Sequence, residues 1–445
     1  MFRIFKPKYP VILQSGKHAM ARSAIDRPVL DILHRLRKNG YQAYLVGGCV
    51  RDILMGKKPK DFDIVTDARP RQIKQLFRRC YLIGKRFRLA HVYISGDRFV
   101  EVATFRASVD PETVNGGRFA ANNVFGTIDD DALRRDFTVN ALYYNAVEDS
   151  IVDYSGGLND IKKKVLRSIG KPGDRYRDDP VRMIRSARFC AQLGMTLSRE
   201  DYKATRECAV LIREANASRM LEELYKILRC GSSAATLTNL VKFGLLEYWL
   251  PELAKEKYYD SLTARLASID NRRKQEKDIP VCVLVTALLY DLFIDALDEN
   301  GAQRGFQDTF ALCTTQFSEL ASRMRLPHRE WDRICNIVAR QGIFTRINGS
   351  QKWKKFERRF VRNAYFDDAM LFFEIQAESS GANTEEVRYW KRKSEEGRRE
   401  AAPGAHKKEQ PAEQKPARKR RRRRRPEKTD EKKELLVQNG DTHAG

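Results

Sequence analysis

The stretch from Leu45 to Thr66, LVGGCVRDILMGKKPKDFDIVT, constrains the fold of this chain more than any other. The segment QAYLV predicts a strand that runs into Gly47 and Gly48, CVRDILMG predicts a short helix that ends at Gly56, and DFDIVT predicts a second strand. Two strands joined through a glycine turn and a short helix form an α/β unit.

Two acids, Asp61 and Asp63, stand one residue apart in the second predicted strand. Side chains two apart in a strand point to the same face, so both carboxylates can reach one divalent cation or bridge two. An isolated D-x-D pair is more often a solvated surface pair, but Phe62 and Ile64 on the opposite face suit a core. Hard oxygen ligands predict Mg²⁺, with Mn²⁺ as the alternative ion.

The glycine pair predicts a site for phosphate groups. Two glycines let a backbone approach a ligand closely, and the amino end of the following helix attracts anions. The triphosphate of ATP fits this description, and Arg51 in the helix adds positive charge. Many α/β turns have this pattern, so Gly47, Gly48 and Arg51 become candidate nucleotide-binding residues only in combination with the acids.

The hydrophobic pattern and the composition of the sequence change along the chain, and these changes predict five regions. Residues 1–26 resemble an extended arm, 27–156 mix helix and strand patterns, and helical patterns dominate 157–240 and 241–383. Residues 384–445 are poor in aromatic side chains and contain the run RKRRRRRR, a composition that predicts a disordered polybasic tail.

The overall composition predicts a polyanionic partner and a cytoplasmic location. The 445 residues carry a formal net charge of +25 at pH 7. No apolar run of about 18 residues occurs, so we expect neither a membrane span nor, at the basic start of the chain, a secretory signal. The eight cysteines are scattered without the spacing of zinc ligands, as is typical of reduced thiols in the cytosol.

Four segments in one order, LVGGCVRD…KDFDIVT, RRDFTVNALYY, DYSGGLNDI and RYRDDPVRMIRSARF, together resemble the bacterial class of tRNA CCA-adding enzymes and poly(A) polymerases. The segment LIGKRFRLAHVYI, with Arg86, Phe87 and His91, resembles the poly(A) polymerase branch. The resemblance covers about residues 18–230. It implies an α+β protein: a polymerase β-like nucleotidyltransferase head with a mixed sheet, then all-helical neck, body and RNA-binding domains, and a disordered basic tail.

The resemblance also implies roles for individual residues in the head. Asp61 and Asp63 match the two metal-binding aspartates, and Asp136 in RRDFT matches the third acid, assigned as catalytic. Glu101 is a rival third carboxylate and metal ligand, because the predicted strand RFVEVATFR could lie beside the D-x-D strand.

Basic residues beside this third acid resemble those that handle the nucleotide. They are Arg134 and Arg135, for which a solvated basic pair is the alternative interpretation.

The segment RDDPVR resembles the base-reading E-D-x-x-R segment of the family, with Asp178 where the family usually has Glu. Arg182 follows four residues later, so one helical face would carry both side chains, as a base-reading pair or as a salt bridge. A carboxylate accepts from an exocyclic amine and an arginine donates to a ring nitrogen, which suits adenine and cytosine alike. The pair therefore does not separate ATP from CTP. Arg185 and Arg188 continue the helix and face either phosphate or water.

The resemblance implies a template-independent RNA adenylyltransferase. The RNA 3′-hydroxyl attacks the α-phosphate of ATP, with mRNA and small-RNA 3′ ends as substrates and RNA-decay proteins as partners. A CCA-adding tRNA nucleotidyltransferase is the alternative. A non-catalytic RNA-binding protein is the alternative from another class, against which the intact acids Asp61, Asp63 and Asp136 argue.

Overall fold

The computed structural model describes residues 10–84, 89–107, 124–299, 305–348 and 350–401. Two residues of the branch-specific segment, Arg86 and Phe87, and the polybasic run of the tail lie outside the described residues.

A mixed sheet of eight strands forms the first part of the molecule, in the order β1-β8-β7-β2-β3-β6-β5-β4. Its strands are β1 (Val11–Leu13), β2 (Ala43–Val46), β3 (Asp63–Thr66), β4 (Cys80–Ile83), β5 (Leu89–Ser95), β6 (Arg98–Thr104), β7 (Leu142–Asn145) and β8 (Ser150–Asp153). The β3–β6 pair is parallel, and the other pairs are antiparallel. β1 belongs to the segment predicted as an arm, so part of that arm is an edge strand of the sheet.

Apolar side chains cover one face of the sheet. Helices α1 (Arg27–Lys38), α2 (Gly48–Leu54) and α3 (Pro70–Leu76) pack there, and the shared core includes Leu36 and Val102. The opposite face, on which Asp63 lies, holds a smaller cluster that includes Tyr143. The strand alternation therefore separates a core face from the face that carries the candidate site.

One short helix lies between β6 and β7, and helices make up most of the chain after β8. The helices are α4 (Ile128–Arg134), α5 (Gly157–Lys163), α6 (Pro172–Asp178), α7 (Val181–Leu193), α8 (Arg199–Cys208), α9 (Ala217–Arg229), α10 (Ser233–Lys242), α11 (Leu246–Trp249), α12 (Tyr259–Lys274), α13 (Val281–Glu299), α14 (Phe306–Gln316), α15 (Ser318–Arg323), α16 (His328–Phe344), α17 (Gln351–Phe360) and α18 (Phe366–Ser380). A two-stranded parallel ladder, β9 (Val165–Leu166) with β10 (Thr196–Leu197), interrupts the region predicted as all-helical.

A large hydrophobic core joins the sheet domain to the first helices. Phe137 and Val139 of the sheet domain belong to the same cluster of buried residues as Ile184 and Leu224 of the helices. None of the helices that the structure describes is long and apolar enough to cross a membrane.

The prediction that disorder begins at residue 384 is wrong. Thr384–Ala401 form a further helix, α19. The Trp390 side chain is fully buried among aromatic rings that include Phe344 and Phe373, and its indole nitrogen donates to the Phe344 carbonyl at 3.0 Å. The segment is polar on average, but the burial of this one large aromatic side chain stabilises the helix against the rest of the protein.

Candidate active site

The glycine turn between β2 and α2 has a backbone that only glycine adopts readily. Gly47 has φ +79°, and a Cβ atom there would lie 3.4 Å from an Arg135 guanidinium nitrogen and 4.0 Å from an Asp63 carboxylate oxygen. Gly48 is the first residue of α2. The backbone at this turn therefore lies directly against both a cation and an anion of the site.

Asp63 opens strand β3, whereas Asp61 lies just before the strand and is exposed. Both side chains face one cleft, although the strand that was predicted to carry both acids begins only at the second. Asp63 pairs in parallel register with Glu101 of β6. The predicted neighbourhood of Glu101 and the D-x-D strand is thus confirmed.

Negative charge accumulates around Asp63. Burial raises the pKa of its carboxyl to about 6, the carboxylates of Asp61 and Glu101 act in the same direction, and the Arg135 guanidinium opposes them. No group of three metal-ligating side chains occurs among the residues that the structure describes. Two carboxylates suffice for Mg²⁺, which usually takes one or two from the protein and the rest of its ligands from water and substrate phosphates. The acids Asp61 and Asp63 fit such an ion.

The basic pair at the end of α4 is held by a buried acid that is not among the predicted site residues. Asp131 is fully buried, and its two oxygens accept hydrogen bonds from Arg134 at 2.8 and 3.0 Å and from Arg135 at 3.0 and 3.1 Å. The Tyr143 hydroxyl donates to the same carboxylate at 2.9 Å. Its spacing of three and four residues from the arginines was a signal in the sequence. Arg135 faces the cleft, and Arg134 is not among the residues that line it.

Asp136, the acid expected to be catalytic, accepts hydrogen bonds from three groups. Arg185 donates to Oδ2 of Asp136, with its Nε at 3.1 Å, while Asn140 and the Phe137 amide donate to Oδ1 at 3.0 and 2.8 Å. Burial alone would raise the pKa of this carboxyl, but the Arg185 ion pair and these hydrogen bonds outweigh it and lower the pKa to about 2. These contacts hold Arg185 and Asn140 beside Asp136, which itself lines the cleft, and its catalytic role stays a prediction.

Three guanidinium groups surround one buried aromatic ring on α7. Arg51, Arg185 and Arg188 lie 5.4, 5.4 and 4.3 Å from the centroid of Phe189. Arg188 also donates to the buried carboxylate of Glu223 on α9 at 2.6 Å. The sequence predicts that Arg188 faces phosphate or water; in the structure its side chain is buried and lines the cleft. Its contacts give it a structural role between α7 and α9.

Arg51 is nearly buried, and its guanidinium donates to two side chains. Nε and Nη2 bond to Asp52, at 2.8 and 2.7 Å, and Nη1 bonds to the amide oxygen of Asn140. Arg51 therefore supports the turn and Asn140 as well as lining the cleft.

The predicted base-reading pair does not share a helix. Asp178 ends α6 and is exposed, Arg182 lies in α7, and Pro180 separates the two helices because a proline disfavours helical backbone at the residue before it. The acid near Arg182 is Asp179, at 3.9 Å, and Asp179 also accepts two hydrogen bonds from Arg219 at 2.7 and 2.8 Å. The shared-face expectation for Asp178 and Arg182 is thus wrong.

The sheet domain and helices α7 and α9 enclose a cleft of about 820 Å³. Its walls carry nine Lys or Arg and five Asp or Glu side chains. Most predicted site residues line it: Gly47, Gly48, Arg51, Asp61, Asp63, Arg135, Asp136 and Arg185. Others lie outside the lining: Glu101, Arg134, Asp178 and Arg182. Acids on the sheet wall face arginines on the helical wall, an arrangement suited to a polyphosphate held with a cation.

Comparison with known proteins matches three family models along the chain. The head domain of poly(A) polymerase matches residues 43–167, the probable RNA- and SrmB-binding site of polymerase A matches 194–257, and the arginine-rich C-terminus of polymerase A matches 307–427. The solved structure of a Thermotoga maritima CCA-adding enzyme with tRNA superposes with a TM-score of 0.58 over 86% of each chain, at 18% identity. The expected head with a mixed sheet, followed by helical domains, is confirmed.

The two branches of this class differ in how much of this chain their members match. Poly(A) polymerase I of Salmonella typhi is 37% identical over 374 residues, which are 80% of this chain and 80% of that protein. A CCA-adding enzyme of Bacillus velezensis is 36% identical over 248 residues, which are 55% of this chain and 61% of that protein. Similarity to the poly(A) polymerase thus extends beyond the head and neck. The chain belongs to the bacterial poly(A) polymerase family of nucleotidyltransferases.

Proposed function

We propose that this chain adds AMP from ATP to RNA 3′ ends without a template. The observation that carries the proposal is the cleft: Asp61, Asp63 and Arg135 line it on the sheet side, next to the glycine turn, and Arg185 lines it on the helical side. In the reaction the RNA 3′ oxygen bonds to the α-phosphorus of ATP, the bond to the β-phosphate oxygen breaks, and pyrophosphate leaves.

The sheet wall provides the phosphate and metal end of the site. Asp61 and Asp63 hold Mg²⁺, or Mn²⁺ in its place, and Glu101 on the adjacent strand adds negative charge behind them. A bound cation of this kind supplies Lewis-acid stabilisation of phosphoryl charge and lowers the pKa of the attacking hydroxyl. Gly47 and Gly48 let the triphosphate approach the backbone, and Arg135 contributes a fixed positive charge there.

The helical wall positions the rest of the nucleotide. Asp136 holds Arg185 toward the cleft, and Asn140 links Asp136 to Arg51. We assign the base-reading role to Arg182 with Asp179, in place of Asp178, because these two side chains lie within ion-pair distance. Such a pair recognises adenine and cytosine equally, so the choice of ATP depends on the depth of the pocket.

We further propose a cytoplasmic location and RNA-decay proteins among the partners. The cysteines of the described residues are free thiols, mostly buried, which suits a reducing compartment. The basic composition, with a net charge of +25, suits mRNA and small-RNA 3′ ends.

One assay tests the proposal: purified full-length chain, Mg²⁺, an oligo-A primer and each nucleoside triphosphate separately. We expect many A residues in succession with ATP and poor use of CTP. A parallel reaction uses tRNA that lacks its 3′ CCA. Addition of C-C-A followed by a stop, with no growth on oligo-A, would establish the CCA-adding alternative. RNA binding without any incorporation would establish the non-catalytic alternative.

A further inference from the structure

Large aromatic side chains are exposed on the same face of the sheet as the candidate site. Tyr81 on edge strand β4 is 61% exposed and Phe99 on β6 is 42% exposed, with His91 and Tyr93 of β5 between them. We call these four residues the aromatic face. None of these four residues is a proposed metal ligand, and none of them lines the cleft.

The rings of the aromatic face contact one another as an ordered array. His91 stacks on Phe99 with ring centroids 4.0 Å apart and an angle of 9° between the rings. Tyr93 lies 5.6 Å from Phe99 and 5.5 Å from Tyr81, the latter edge to face. These contacts hold the rings in place before any ligand arrives, which lowers the entropic cost of binding on them.

Strand register connects this array to the metal acids. Tyr81 pairs with His91, His91 pairs with Glu101, and Glu101 pairs with Asp63, so one row of side chains crosses four strands. Three strand spacings separate the ends of the row, about 14 Å at 4.7–4.9 Å each. A sheet that presents aromatic rings over this distance accommodates two or three stacked bases.

The charges around the aromatic face suit a nucleic acid. Arg78 and Arg79 are exposed immediately before β4, and the Arg79 guanidinium lies 5.9 Å from the centre of the Tyr93 ring. Within the described strands and turn of the face, carboxylates stand at Asp97, in the β5–β6 turn, and at Glu101, at the end of the row nearest the proposed cation. Exposed rings next to exposed arginines are the features with which proteins bind single-stranded RNA without sequence preference.

We propose that the aromatic face binds the single-stranded 3′ segment of the RNA primer, with its last bases stacked on Tyr81, Tyr93 and Phe99. The row leads the 3′ end toward Asp63, where the terminal hydroxyl meets the nucleotide. This inference rests on the proposed nucleotide addition, because it uses the acids as the end point of the path. Stacking accepts any base, which suits an enzyme that must bind varied RNA ends.

The test measures binding of an oligo-A primer that ends in a 3′-deoxy nucleotide and carries 2-aminopurine three positions from the end. We compare the full-length chain with Tyr81→Ala, Phe99→Ala and Tyr81→Trp. The first two variants should raise the primer Kd about 5-fold to 100-fold each, the loss expected for one stacked base, and weaken the 2-aminopurine quenching. Tyr81→Trp keeps a stacking surface and should retain the wild-type Kd.

A matched control comes from the opposite edge of the sheet. Ile12 on β1 is 52% exposed, and Ile12→Ala should leave the primer Kd unchanged. In steady-state addition, Tyr81→Ala should raise the KM for primer more than it lowers kcat, with the KM for ATP unchanged. Unchanged primer Kd and quenching in both alanine variants would overturn the proposal. So would unchanged affinity together with conversion of a dimer to a monomer, which would assign the aromatic face to a second copy of the chain.

Failure of this inference is distinguishable from failure of the proposed function. The binding measurement uses a primer that cannot be extended, so it reports on the aromatic face even if the wild-type chain adds no nucleotide. Conversely, normal AMP addition with unchanged primer affinity in the variants would refute the aromatic face alone.

Discussion

Replacement of Asp63 by asparagine should stabilise the metal-free protein while it abolishes nucleotide addition. Burial, Asp61 and Glu101 raise the pKa of the Asp63 carboxyl from 3.8 to about 6. That difference corresponds to a destabilisation of about 3 kcal/mol by the ionised carboxylate at pH 7. An amide of nearly the same shape removes the charge, so the free energy of unfolding of the Asp63→Asn variant should rise by up to about 3 kcal/mol.

The pH dependence of this gain has a defined sign. Because the folded pKa is raised, the cost of the charge is fully present above about pH 6, declines as the pH falls toward 4, and disappears below the unfolded pKa. Urea denaturation in EDTA at pH 7.5 should therefore separate the Asp63→Asn variant from the wild type, and the same measurement at pH 4 should bring them together. Mg²⁺ should stabilise the wild type more than the variant, since the cation relieves the same repulsion.

Activity provides the second half of the test. Loss of a ligand to the catalytic cation should lower AMP addition by more than about a hundredfold. The matched control is Asp97→Asn in the exposed β5–β6 turn, which should change neither stability nor activity. A variant at position 63 that is less stable than wild type at pH 7.5 would refute the electrostatic argument. Retained activity would refute the metal role.

Three further predictions follow from the described contacts and the sequence. Asp136→Asn should lower the free energy of unfolding by about 2 kcal/mol at pH 7, because the folded structure lowers the pKa of this carboxyl to about 2. Urea denaturation should show that this loss of stability fades between pH 4 and pH 2. An unchanged denaturation midpoint at pH 7 would contradict the pairing with Arg185. Trp390→Ala should cost about 3–5 kcal/mol, and equal thermal stability of variant and wild type would mean that α19 does not pack as described. Deletion of residues 404–445 should reduce the slope of log Kd for RNA against log salt by up to about 5 and leave AMP addition intact, whereas an unchanged slope in filter binding would assign the tail to solubility.

Local patterns in the sequence were sufficient for the elements that carry the site. The strand, the Gly47–Gly48 turn, the short helix and the strand with Asp63 appear in the structure almost at their predicted bounds. Each of these depends on residues within a few positions of one another, through side-chain alternation and the conformational freedom of glycine. The exception, Asp61, lies outside the strand because the pairing with β2 and β6 begins only at Asp63.

Two predictions from the sequence were wrong because a single residue determined the local structure. Pro180 divides the segment that was expected to place Asp178 and Arg182 on one helix, although a proline at that position is a readable signal. Trp390 orders a helix in a segment whose overall composition predicts disorder. Averages over a window are weak evidence when a single side chain can break a helix or fill a core.

The sequence alone therefore determined which residue types could perform the chemistry and in which local elements they stand. Only the tertiary structure decided which of them meet: Asp179, and not Asp178, near Arg182, and Arg185 against Asp136 across 49 residues. The physical reason is that secondary structure follows from short-range periodicity, whereas strand order and the closure of the helices over the sheet follow from the burial of cores assembled from distant segments.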